Sequence, residues 1–127
     1  MKIDRMDHVV LTVRDLDRTC EFYRSVLGFE VVTFAGDRRG LSFGRQKLNL
    51  HLFGKEFEPK AQHPTPGSLD LCFVTSTPLD EVQRELRQKG IAIEVGPVEK
   101  VGATGTLLSI YIRDPDYNLI EIANYVS

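Results

Sequence analysis

The stretch "DHVVLTVRDLDRTCEFYRSVLG", residues 7–28, decides the fold. Val9, Leu11 and Val13 alternate with His8, Val10 and Thr12, the period-2 pattern of a strand with two different faces. Leu16, Cys20, Tyr23 and Leu27 then recur at helical spacing, with Asp15 or Asp17 as the candidate N-cap and Gly28 as the stop. Three further strands follow: "FEVVTF" (29–34), "RGLSFG" (39–44) and "QKLNLHLFG" (46–54).

The same order then restarts. "LDLCFV" (69–74) reads as a strand, and "TPLDEVQRELRQKG" (77–90) as a helix. Thr77 is its expected N-cap, Pro78 its first position, Leu79, Val82 and Leu86 its apolar stripe, and Gly90 its stop. "IAIEV" (91–95), "TLLSIYI" (106–112) and "NLIEIANY" (118–125) supply three more strands. Adding 62 carries His8 onto Asp70 and Gly28 onto Gly90, so the halves keep register through strand and helix. The expected fold is therefore α+β, a tandem βαβββ duplication within a single domain of residues 1–127. Module 1 spans about 1–53, a Pro- and Gly-rich linker about 54–67, and module 2 about 68–127. "GPVEKVGATG" (96–105) reads as an insert, so that His51 pairs with Glu121 at an offset of 70.

Composition narrows the partners. With 16 basic against 18 acidic residues and a net charge of −2, the 127-residue chain has no positive field for nucleic acid or anionic lipid. No segment approaches the roughly 20 apolar residues of a membrane span, and "MKIDRMDH" lacks a signal-peptide core. Cys20 and Cys72 sit in apolar patterns without disulfide or zinc spacing, so both are expected to be reduced and buried in a cytoplasmic protein.

Asp70 interrupts what otherwise reads as a buried strand, and an unpaired carboxylate there is costly. The duplication groups it with His8, His51 and Glu121, each flanked by apolar residues in a predicted strand. Singly, each has a structural explanation: a hydrogen-bonded strand histidine, or a carboxylate facing water. Together, imidazoles and carboxylates from four strands suit a divalent first-row ion such as Zn, Mn, Ni, Co or Fe. His63 reads as a solvated linker residue, and "RDPDYN" (113–118) as an Asp-Pro turn feeding the last strand. Cys72 shares the Asp70 face but has no histidine base, and no nucleotide-binding or serine-hydrolase motif is present.

"HVVLTVRDLDRTCEFYRSVLGFEV" and "YIRDPDYNLIEIANY" resemble the opening and closing signatures of the vicinal oxygen chelate superfamily, which includes glyoxalase I, fosfomycin-resistance thiol transferases, bleomycin-resistance proteins and extradiol dioxygenases. "LSFGRQKLNLH" and "GKEFEPKAQHPTPGSLDLCFVT" are similar more narrowly to glyoxalase domain-containing protein 5 and its bacterial relatives. The resemblance implies a curved mixed sheet around a metal-binding cleft, with ligands on the first and fourth strands of each module. Carried over by position, these are His8 and His51, then Asp70 and Glu121; many relatives have histidine where Asp70 stands. It also implies pairing of modules across a homodimer, with one site shared between chains.

The implied chemistry is that of glyoxalase I. A divalent metal binds two adjacent oxygens of a small-molecule substrate, and Glu121 acts as base in a lactoylglutathione-lyase-type isomerisation. Relatives that use glutathione anchor it with an arginine and an asparagine where this chain has Thr12 and Lys55. Lys55 and Lys100 are candidate clamps for an anionic substrate. Two rivals carry different expectations: an Fe(II) ring-cleaving dioxygenase using His8, His51 and Glu121, and a metal-free small-molecule binding or resistance protein.

Overall fold

The computed structural model describes all residues, 1–127, and the chain divides into two compact units, Met1–Ser68 and Leu69–Ser127. In the first unit β1 (His8–Val13), α1 (Leu16–Ser25), β2 (Glu30–Phe34), β3 (Arg38–Phe43) and β4 (Gln46–Leu52) form a sheet of order β1-β4-β3-β2. The β1–β4 pair is parallel and the other two are antiparallel. The second unit repeats this plan with β5 (Asp70–Val74), α2 (Leu79–Gln88), β6 (Val95–Val101), β7 (Thr106–Arg113) and β8 (Leu119–Tyr125), in the order β5-β8-β7-β6. Again the pair formed by the first and last strands, β5–β8, is parallel.

Period-2 alternation sorts each sheet into two faces. In the first unit Leu11, Val13, Leu41, Leu48 and Leu50 are buried together with Cys20, Tyr23 and Phe29, and α1 lies against β2, β3 and β4. Stacked rings of Tyr23, Phe29 and Phe43 extend this core. In the second unit Ile110, Ile112, Ile120 and Ile122 share the buried face. The opposite face mixes polar and apolar residues in both units, with His8 and Lys47 in the first and Asp70 and Glu121 in the second.

The helix ends follow local chemistry. Asp15 caps α1, its side chain accepting from the Arg18 N–H at 3.0 Å, and Gly28 and Gly90 take φ values of +73° and +71° after the two helices. Thr77 is not the cap of α2. Asn124, arriving from β8, accepts the Leu79 N–H at 2.8 Å and donates to the carbonyls of Thr75 and Thr77, so a residue 45 positions away closes that end.

Two more sequence expectations change. "IAIEV" is irregular, and the strand lies one step later, in "VGPVEKV", inside the stretch read as an insert. The register of β6 against β7 shifts between Val95 and Val98, and Gly96 at φ +110° marks the bulge. A Cβ there would stand 2.5 Å from the Ser109 carbonyl oxygen, so the close approach requires glycine. Cys20 is buried as expected, but Cys72 is exposed, because β5 turns Asp70, Cys72 and Val74 to the open side.

"RDPDYN" proves to be a buried clasp. Asp114 Oδ1 accepts from the Asp116 and Asn118 backbone N–H groups, and its Oδ2 accepts from Asn118 Nδ2 at 2.8 Å. Asn118 Oδ1 then accepts the Leu69 N–H at 2.9 Å, and Asn118 is fully buried. The clasp thereby fixes Leu69, the residue immediately before β5 begins at Asp70.

Candidate functional site

In the second unit the open face is built from Asp70, Cys72 and Val74 of β5, Leu119, Glu121 and Ala123 of β8, and Ser109, Tyr111 and Arg113 of β7. Register places Cys72 directly opposite Glu121 and Glu121 opposite Tyr111, giving one row across three strands. Ser109 donates its hydroxyl to Glu121 Oε2 at 2.6 Å. Desolvation, reinforced by the neighbouring Glu121 carboxylate, pushes the Cys72 thiol up to about 11 and the Tyr111 phenol up to about 12. Both groups therefore keep their protons at neutral pH. Lys100 Nζ lies 5.8 Å from the Tyr111 ring centroid, on the same side. Asp70 is exposed as the first residue of β5, which answers the puzzle of its sequence position: its carboxylate stays in water.

In the first unit the open face carries His8, Val10 and Thr12 of β1 beside Lys47, Asn49 and His51 of β4. His8 is exposed, and its Nδ1 pairs with the Asp7 carboxylate at 2.8 Å. That carboxylate orients the ring and leaves Nε2 free, the arrangement common in metal-ligating histidines. His51 is only 8% exposed, with the Phe57 ring edge-on at 5.5 Å. Burial, followed by the nearby Arg38 guanidinium, holds its imidazole below the ordinary histidine value, with Glu56 opposing in part. Lys55 is exposed in the turn after β4.

Register corrects the pairing of His51 with Glu121. Glu121 stands opposite Cys72, and the residue equivalent to Cys72 in the first unit is Val10, whose partner is Asn49. His51 stands opposite Thr12 and corresponds to Ala123. Only the His8–Asp70 equivalence holds, each opening its strand. His51 therefore shares a face with His8 but is displaced four residues along the strand direction, roughly 13 Å at about 3.3 Å per residue. No group of three or more His, Cys, Asp and Glu side chains is assembled at metal-holding distance.

The matching family model spans residues 5–122 and describes the Glyoxalase/Bleomycin resistance protein/Dioxygenase superfamily. The chain belongs to this superfamily. It is 62% identical to the virulence protein STM3117 of Salmonella typhimurium over 99% of this chain and 88% of that protein. The crystal structure of that protein gives a TM-score of 0.98, covering 99% of this chain and 100% of the other. Identity is 50% to the glyoxalase domain-containing protein RDO1 of Mycosarcoma maydis, over 98% of this chain and 70% of that one. A lactoylglutathione lyase from Agrobacterium tumefaciens is 26% identical with a TM-score of 0.73, covering 98% and 96%.

Against the superfamily frame, the sequence reading missed Ser109, Tyr111 and Asn49. The alternation of "TLLSIYI" places Ser109 and Tyr111 on one face, so that signal was available. Asn49 was hidden, because only strand register distinguishes it from His51, two residues on.

Proposed function

We propose that this superfamily member is a metal-dependent enzyme of the glyoxalase I type, acting by proton transfer on a small substrate with two adjacent oxygens. The observation that carries the reading is Glu121: a carboxylate on the open face of β8, held by the Ser109 hydroxyl at 2.6 Å and in one row with Cys72 and Tyr111. The donor types suit a divalent ion. His8 offers a free Nε2 with its ring oriented by Asp7, Glu121 offers its second oxygen, and Asp70 offers an exposed carboxylate. His51, on the same open face as His8, completes the proposed donor set with a second imidazole. The ligands are drawn from one chain or from two copies of a homodimer. A relative at 26% identity is a lactoylglutathione lyase, which supports the reaction class.

A divalent ion supplies Lewis-acid stabilisation for the negative charge that develops on the substrate oxygens. The chain's own groups do the rest. Glu121, once loosened from the ion, would take the proton from carbon, and the Ser109 hydroxyl keeps its carboxylate aimed. Tyr111 remains a donor and Cys72 a thiol across the neutral range, so Cys72 is not a nucleophile there.

The test is elemental analysis of protein purified without chelator, alongside an oxygen electrode with catechol substrates. We expect one divalent ion per site in the native chain, lost in His8→Ala, His51→Ala and Glu121→Ala, with no oxygen uptake. Full occupancy in all three variants would remove the metal reading. Oxygen consumption would replace proton transfer with ring cleavage.

A further inference from the structure

The open face of the first unit carries two cations, Arg38 and Lys47, that make no direct ion pair. Arg38 lays its guanidinium on Phe57, Cζ to centroid 3.8 Å, and Lys47 Nζ stands 3.7 Å from the centroid of Phe34. Phe34 and Arg38 are direct cross-strand partners, whereas Lys47 starts opposite Ser42. Its stem therefore crosses Gly40 to reach Phe34, and a Cβ on Gly40 would sit 3.0 Å from Lys47 Cδ. The missing side chain at position 40 lets the lysine bring its charge to the end of the sheet where Arg38 sits. Both residues are half-buried, and neither takes part in any of the chain's ion pairs.

Opposite Gly40 stands Asn49, whose Oδ1 is sealed from solvent without a hydrogen-bond donor. A buried acceptor left unmatched costs free energy, as does a half-buried cation whose only company is a ring. What would satisfy all three groups is chemically specific. The guanidinium fork and the ammonium call for anionic oxygens, Asn49 Oδ1 for a donor, and Phe34 and Phe57 for an apolar body.

We infer that this face binds a small carboxylate with a hydroxyl on the adjacent carbon and an apolar or aromatic body. Arg38 and Lys47 engage the carboxylate, Asn49 Oδ1 accepts from the hydroxyl, and the body lies against the phenylalanine rings. A phosphate monoester would bring further acceptor oxygens and no donor, leaving Asn49 unmatched. The inference stands on the first unit alone and needs no metal at His8 or Glu121.

The test is ¹⁵N NMR of the full chain in excess EDTA, so that no divalent ion contributes and the metal reading is not at stake. Mandelate is the probe, with phenylacetate lacking the hydroxyl, benzyl alcohol lacking the charge, and phenyl phosphate as the rival anion. Mandelate is expected to shift the Arg38 Nε–H and Asn49 side-chain amide signals saturably, about threefold tighter than phenylacetate, with benzyl alcohol inert. Arg38→Gln and Lys47→Gln should each weaken mandelate about tenfold. Asn49→Leu should erase its advantage over phenylacetate. Gly40→Ala, which displaces the lysine stem with no change of charge, should weaken binding while the spectrum shows an intact fold. Unmoved signals with mandelate, equal binding in Arg38→Gln, an equal response to benzyl alcohol, or tighter binding of phenyl phosphate would each overturn the inference.

Discussion

Ser109 of β7, fully buried, donates its hydroxyl to Glu121 of β8 across 2.6 Å. The bond is directional and takes one carboxylate oxygen, so the other is left to act on the open face. Ser109→Ala is expected to destabilise the chain by about 1–2 kcal/mol in urea denaturation. If a divalent ion binds Glu121, its affinity should fall roughly tenfold, since an orienting partner of a ligand is lost. Isothermal titration with Zn or Ni after chelator removal measures the second effect; unchanged affinity would show that Ser109 does not orient a ligand.

The Asn118 carboxamide makes one bond to Asp114 and one to Leu69 from a fully buried position. Removing it takes the side-chain donor from Asp114 Oδ2 and the acceptor from the Leu69 N–H. Asn118→Ala should cost about 3 kcal/mol, visible as a lower urea midpoint at constant slope. Asn118→Asp places like charge beside Asp114 and should cost more. A loss below 0.5 kcal/mol, about the level of an ordinary surface change, would show the clasp to be dispensable.

His51 connects burial to pH. Its folded pKa lies below the ordinary 6.5 because burial, and then Arg38, disfavour the imidazolium. The neutral ring's contribution to stability is therefore fully present above the unfolded pKa and is lost as pH falls through the folded value. Unfolding free energy should decline on acidification from pH 6.5, and His51→Gln should flatten that decline. A side-chain NMR titration with a midpoint at or above 6.5 would contradict the assignment.

Tyr111 reports on the same carboxylate from the other side. With its phenol pushed up to about 12 by desolvation and by Glu121, the folded chain holds this proton after an unfolded tyrosine has lost it. Stability present below pH 10 should then decline as pH rises toward 12. Spectrophotometric titration at the tyrosinate band should show a late-ionising step that is lost in Tyr111→Phe and moved toward 10 in Glu121→Gln. If Glu121→Gln leaves the late step in place, desolvation alone accounts for it.

How much of this was legible in advance differs element by element. The two βαβ starts were readable because strand alternation, the Asp15 cap and the Gly28 and Gly90 stops are local signals. β6 was misplaced because its strand runs through Gly96 and Pro97, residues that ordinarily mark a turn, and only the backbone contact with Ser109 explains them. The α2 cap was misread because its true partner, Asn124, is distant in sequence and near in space.

The candidate site divides in the same way. Sequence by itself determined the family, the duplicated plan, and that His8, Asp70 and Glu121 stand at strand positions facing away from the apolar side, since period-2 alternation decides which face a residue occupies. Tertiary structure alone decided how far along each strand a residue lies. Hydrogen-bond register between β1 and β4 made Asn49 rather than His51 the counterpart of Glu121, and register across β5, β8 and β7 put Cys72, Glu121 and Tyr111 in one row. A shift of two residues preserves every face and every hydrophobic pattern, so no reading of the chain in one dimension detects it, while it moves a side chain by nearly 7 Å at about 3.3 Å per residue.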